Sequence, residues 1–452
     1  MWPPRSMPNS LTTTSHSSMA SSPPELSELN VSITDKTATL PADTWFNWNS
    51  YPYEETQRSL TPTVTGAFFD ETLRDGLQAA NIPIPEVDRK IEFIHHMVRC
   101  GVRSADLGFP GSGPAAAREC TEIAKYIAAE DLPLAQGYAG RTHPDDIAAI
   151  CGISQAAGAP VEAYVFTGVS PIRQHVEDWS IESIQQNIRD SAKACDREGV
   201  EFVLVLEDTV RCTPKLLGKL YDVAIDSGVR RVTLCDTVGT STPTGTEALI
   251  RWTTRYFADR GHPVGLEWHG HNDRGLALAN SLTALALGCV RVHGTILGIG
   301  ERAGNTALDQ LIVNGYLGDH GDYDLLALRE YCEFAAEALD LAVPENYPAM
   351  GRDVFKTSAG VHATAILKAH QKGSDLLKDI VYSGVPASAL GRDQEVLIDA
   401  SSGANNVRYW LTTRGYQLDS DVSDVIEKVL HAAKSRRVAL EDEQIRQIIA
   451  EH

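Results

Sequence analysis

From Gly66 onward, short apolar runs alternate with longer stretches in which apolar residues recur every three to four positions. The short runs suit strands and the longer ones amphipathic helices, so the pattern predicts repeated βα units. The strands read GAFF (66–69), SADLGF (104–109), LAQGY (134–138), VEAYVFT (161–167), FVLVLE (202–207), RVTLCD (231–236), VGLEWHGH (264–271) and VRVHGTI (290–296). Between them, segments such as PEVDRKIEFIHHMVRCG, with Pro85 near its start, have helical spacing. Eight alternating units favour a closed (β/α)8 barrel over an open doubly wound sheet. No GxGxxG follows the first strand to support nucleotide binding there.

The alternation stops near residue 330. The reading is therefore an α/β protein in which residues 61–330 form a TIM barrel and residues 331–452 a smaller, mostly helical α+β module. Residues 1–60 open with a stretch rich in Ser, Thr and Pro that lacks apolar periodicity, which predicts a disordered extension. A transit peptide would carry more arginine than that stretch shows, and an amphipathic period.

Composition narrows the partners. A formal net charge of −20 disfavours phosphate backbones and anionic lipid, and no basic patch offsets it, so neither nucleic acid nor membrane is expected. No apolar run approaches the roughly 20 residues of a membrane helix. The eight cysteines are scattered without a CxxC pair, as expected of reduced thiols in a cytoplasmic protein.

The candidate chemistry lies at the carboxyl ends of the strands, where barrel active sites collect. In EWHGHND, His269 and His271 are two apart on a strand and share a face, so both imidazoles can reach one ion. A pair of structural histidines would show the same spacing. The first strand runs into FFDETLRDG, bringing Asp70, Glu71, Arg74 and Asp75 to the same mouth, although a charged loop after a strand is often only solvated. The eighth runs into LGIGERAGN, where Asn305 can offer a carbonyl oxygen. Such a mixed oxygen and nitrogen set suits Mg²⁺, Mn²⁺ or Zn²⁺ with open positions. A 2-oxo acid bound there through its carboxylate and ketone would be polarised, with Arg74 supporting the developing alkoxide.

Together, DETLRDGLQ, GFPGSGP, LEDTVR, DTVGTSTP, HGHND, GIGERAGN and AGVHATAIL resemble the acyltransferase branch of the DRE-TIM metallolyases, which includes isopropylmalate and homocitrate synthases. The resemblance spans Gly66 to Asn406 and implies condensation of acetyl-CoA with a 2-oxo acid, followed by thioester hydrolysis. It implies metal ligation by Asp75, His269, His271 and Asn305, and oxo-group support by Arg74. It further implies a substrate-side acid at Glu207, a carboxylate-binding hydroxyl at Thr237, and a pair, His362 and Tyr382, that handles the acetyl methyl proton. For His362 and Tyr382 the chemistry agrees, since enolising a thioester needs a base near neutrality and a hydrogen-bond donor. A homodimer with shared active sites is also implied. A lyase or aldolase of the same superfamily would share the metal site without needing AGVHATAIL or the Tyr382 segment.

The pattern departs from both kinds of synthase. Ala363 and Thr364 stand where isopropylmalate synthases carry Gln and Asp, and Tyr164 stands where they carry a histidine on the fourth strand. Val203 and Val205 occupy the positions of an Arg and a Ser in homocitrate synthases. Tyr164, Arg141 and Arg173 are accordingly the expected specificity residues. The two arginines would pair with a second anionic group on an oxo acid such as oxaloacetate or phosphonopyruvate. Either could equally be an ordinary surface ion pair.

Overall fold

A computed structural model describes residues 68–318, 321–416 and 422–451. The predicted extension at 1–60 and the first residues of the first strand lie outside the described residues. Eight parallel strands close into a barrel in sequence order, as the alternation predicted. They are β1 (Phe68–Asp70), β2 (Ser104–Asp106), β3 (Ala135–Arg141), β4 (Glu162–Gly168), β5 (Glu201–Glu207), β6 (Arg231–Asp236), β7 (Gly265–Gly270) and β8 (Arg291–Gly294). β8 pairs with β1 to complete the ring, Phe69 lying opposite His293.

The helices that follow β1 to β3 are α1 (Val87–Cys100), α2 (Pro114–Ala129) and α3 (Pro144–Ala157). After β4 come a short α4 (Pro171–Glu177) and then α5 (Ile181–Glu198). α6 (Pro214–Asp226), α7 (Pro243–Ala258), α8 (Ala277–Ala286), α9 (Leu308–Leu317) and α10 (Leu325–Ala338) complete the wrap. Several begin with proline as first helical residue behind a hydroxyl cap. Thr213 Oγ1 accepts from Leu216 N–H at α6, and Thr242 Oγ1 from Gly245 N–H at α7. Gly101, at φ 102°, ends α1 in the left-handed conformation that a side chain would resist.

Outward residues such as Val165, Leu204, Leu234, Trp268 and Val292 are buried against these helices and form the main core. The barrel interior is mixed. Phe69, Tyr164 and Val203 make a small apolar layer, while Glu162, Arg231, Glu267 and Arg291 form an ion cluster toward the amino ends of the strands.

The boundary expected at residue 330 needs correction, because it cuts α10. This helix packs on α1, with Phe93 edge-on to Phe334 at 4.9 Å, and Tyr331 donates to Asp70 Oδ2 at 2.9 Å. α10 therefore belongs to the barrel wall. Beyond it, β9 (Lys356–Thr357) and β10 (Glu395–Val396) pair in parallel. Around them lie α11 (Gly360–Gln371), α12 (Asp375–Ile380), α13 (Ala404–Thr413), α14 (Ser423–Lys434) and α15 (Asp442–Ala450). Trp410, Leu411, Val429 and Ile445 centre a separate apolar core in this mostly helical region. No helix among the described residues is long and apolar enough to cross a membrane.

Candidate metal centre and its surroundings

Strand pleating and three turns bring Asp75, His269, His271 and Asn305 together. His269 lies in β7, and His271 follows it on the same face, its backbone N–H donating to Asp236 O. Asp75 sits in the turn after β1, four residues beyond Glu71, whose N–H donates to Gly294 O across the barrel seam. Asn305 is held opposite His271 by an isolated bridge.

The Nε2 atoms of His269 and His271 stand 3.2 Å apart, and each is 3.6 Å from Asp75 Oδ2. All three residues are buried, and their donor atoms lie within 4.8 Å of one another. Asn305 Nδ2 donates to Asp75 Oδ2 at 2.5 Å, while its Oδ1 is buried without a partner. Burial, with His269 beside it, holds the His271 imidazole down at about 4, so it remains neutral with a free lone pair. Burial alone would raise Asp75, but the Arg74 guanidinium foremost outweighs it and keeps the carboxylate ionised. Two convergent imidazole nitrogens, an ionised carboxylate and an orphaned amide oxygen fit a divalent cation.

Arg74 is tied to three carboxylates. Its Nε donates to Asp106 Oδ2 at 2.7 Å, one terminal nitrogen to Asp75 Oδ1 at 2.7 Å and the other to Glu71 Oε1 at 2.6 Å. This fixes the guanidinium beside the candidate ligands. Thr237, just past β6, accepts Asp208 N–H on Oγ1 at 2.8 Å, leaving its own hydroxyl hydrogen free to donate. Glu207 ends β5, and burial raises its carboxyl against the opposing influence of Arg173, whose Nε is 3.7 Å away.

Two sequence expectations, on Tyr164 and Asp70, are corrected. Tyr164 does not face the mouth. It stacks on Phe69 at 4.6 Å, and its hydroxyl accepts from Arg291 at 2.7 Å in the ion cluster toward the amino end. Asp70 points outward to Tyr331, because adjacent strand residues face opposite sides and Glu71 takes the interior. Arg141 is already engaged: Nε and a terminal nitrogen grip Asp146 at 2.8 and 2.9 Å, and the buried Asp146 holds it in place. Arg173 is shared between Glu177, at 3.1 Å, and Glu207.

His362, on α11, and Tyr382, just after α12, are brought together, with ring centroids 4.0 Å apart. Both are exposed, as are the neighbouring Val361 and Val381. Among the described residues, neither His362 nor Tyr382 has a hydrogen bond or ring contact with the barrel mouth.

The residues that sequence reasoning missed are His293 and Glu267, and with them the bearing of Glu71. His293 Nδ1 lies 3.1 Å from Glu71 Oε1, and its Nε2 lies 3.0 Å from Glu267 Oε2. Those carboxylates overcome burial and raise His293 to about 9. The available signal was period two: Glu267 and His269 in β7, and His293 in β8, fall on inward positions.

The HMGL-like family profile matches residues 66–334, which is more than half of the chain. The chain belongs to the HMGL-like family. Its curated relatives include 2-isopropylmalate synthases. The Synechococcus sp. protein is 29% identical over 388 residues, covering 82% of this chain and 70% of that one. The Staphylococcus saprophyticus protein is 28% identical over 387 residues, covering 84% and 73% respectively. Among solved structures, an HMG-CoA lyase from Bacillus subtilis superposes with a TM-score of 0.52 at 20% identity, over 63% of this chain and 97% of the lyase. That likeness establishes the shared barrel fold of this HMGL-like chain and nothing further about its reaction.

Proposed function

We propose that this chain is an acyltransferase that condenses acetyl-CoA with a 2-oxo acid. The supporting observation is the convergence of Asp75, His269, His271 and Asn305 beside Arg74 at the mouth of a barrel whose curated relatives are 2-isopropylmalate synthases. These four residues would hold Mg²⁺ or Mn²⁺, with Zn²⁺ as the third candidate. When bound, such an ion supplies Lewis-acid polarisation of the oxo acid's ketone. Arg74 would stabilise the alkoxide that forms, and the Thr237 hydroxyl would hold the substrate carboxylate. Glu207 would serve as the acid on the substrate side.

His362, with Tyr382 beside it, would take a proton from the acetyl methyl group. The methyl carbon then bonds to the ketone carbon, the alkoxide gains a proton, and water cleaves the thioester C–S bond to release CoA. Because the His362–Tyr382 pair is exposed and unattached to its own barrel mouth, we place it against the mouth of a second copy in a cytoplasmic homodimer.

The acceptor's tail would meet the β3 to β5 side of the mouth. Arg141 and Arg173 would donate to a second anionic group, as in oxaloacetate or phosphonopyruvate, alongside the carboxylates they already bind. Phe166 and Val205, which stand opposite each other on inward positions, would instead suit a branched apolar tail. A panel of 2-oxo acids assayed with acetyl-CoA by thiol release separates the two. Preferential turnover of the anionic-tailed acids supports arginine recognition, and exclusive turnover of 2-oxoisovalerate refutes it. A lyase would instead cleave a 3-hydroxyacyl-CoA, and it gives no role to the His362–Tyr382 pair.

A further inference from the structure

A chain of buried polar groups runs behind the candidate metal centre. Glu71 is 2% exposed and makes three side-chain contacts. Its Oε2 accepts from His269 Nδ1 at 2.6 Å, and its Oε1 receives Arg74 at 2.6 Å and His293 at 3.1 Å. His293 in turn bridges to Glu267, whose Oε1 accepts from Arg231 at 3.0 Å. Glu71 lies 198 residues from His269 and 222 from His293, so β1, β7 and β8 must close on one another before those two bonds exist.

A ring nitrogen that donates to a carboxylate carries the hydrogen, which leaves the other nitrogen with its lone pair. The bond to Glu71 therefore fixes His269 as the Nδ1–H form, with Nε2 facing Asp75 and His271. The other oxygen of the same carboxylate steadies Arg74 beside Asp75. With His293 and Arg74 on Oε1, Glu71 has one orientation available. Orienting carboxylates of this kind govern how well a ligating imidazole binds its metal.

We propose that Glu71 is the positioning residue of the metal centre, setting the ring form and direction of His269, and that His293, anchored on Glu267, holds Glu71 in place. The inference rests on the reading that Asp75, His269, His271 and Asn305 hold a divalent ion, and goes beyond it by assigning roles to residues that touch neither ion nor substrate.

The test is Mn²⁺ binding to the purified full chain, followed by electron paramagnetic resonance without substrate. Wild type binds and His269→Ala binds far more weakly; equal affinity in the two would refute the metal reading itself. Given that difference, Glu71→Gln, which cannot accept from both His269 and Arg74, should weaken Mn²⁺ binding by roughly 10–100-fold. In the His269→Ala background the same change should add little, because Glu71 acts through that ring. A Glu71→Gln affinity within twofold of wild type, or an undiminished effect when His269 is absent, overturns the inference. If Glu71→Gln shows no cooperative melting, His293→Gln decides: a smaller loss of Mn²⁺ affinity with the melt preserved supports the anchoring role, and unchanged affinity overturns it.

Discussion

The barrel mouth and the helical region beyond it present their candidate chemistry in opposite ways. Asp75, His269, His271 and Asn305 are buried, sit at strand ends or the turns just after them, and are braced by Arg74 and Glu71. His362 and Tyr382 lie against each other, their rings tilted by 30°, at an exposed surface with Val361 and Val381 beside them. The first arrangement is pre-organised within one chain, so its geometry costs nothing further when a ligand arrives. On the proposed reading the second is half of a site, and the exposed apolar groups around this pair would be covered by another copy.

The largest effect should come from removing a metal ligand. His269→Ala is expected to bind Mn²⁺ far more weakly and to lose at least roughly a thousandfold in thiol-release rate, on the scale of lost Lewis-acid stabilisation. A metal-free variant that keeps turning over would refute the mechanism.

Next in size is the tail. His362→Ala should lose roughly a hundredfold or more in rate, as expected for a general base, while Mn²⁺ affinity stays at the wild-type value. Mixing inactive His269→Ala and His362→Ala subunits then sharpens the comparison. Sites shared across a dimer leave one intact barrel facing one intact tail, so activity returns. Sites contained within one chain leave every copy defective, and the mixture stays inactive.

The strand count was legible because period two and period 3.6 separate cleanly along this chain, and His269 and His271 could be paired because alternation fixes their common face. Alternation says which face a residue takes, but not how high it sits in the barrel. Tyr164 thus reads as a specificity residue from its strand position, yet it lies a layer below the mouth, among Phe69 and Arg291. Ion partners were harder still. Asp146 claims Arg141 from the start of α3, and the Glu71–His293–Glu267 chain joins strands from opposite ends of the sequence. The end of the barrel was misjudged because α10 has no strand before it, although its aromatic residues pack on α1.

The smallest effect concerns stability. Burial raises Asp309, at the start of α9, from 3.8 to about 7, and its Oδ2 has no hydrogen-bond partner. The folded protein therefore retains a proton that the unfolded chain releases. This contribution to stability is full below about pH 4 and lost as the pH rises through 7. Asp309→Asn should raise the melting temperature at pH 8 by several degrees and change it little at pH 4. An equal change at both values would show that the buried charge is not the cause.

The most direct test of the proposed condensation is product mass spectrometry after incubation with ¹³C₂-acetyl-CoA, Mn²⁺ and the 2-oxo acid panel. The account predicts free CoA together with a hydroxy acid that has gained one carboxymethyl group, equal in mass to one oxo acid plus the elements of one doubly labelled acetic acid. Release of CoA with labelled acetate and no such adduct from any oxo acid would contradict it.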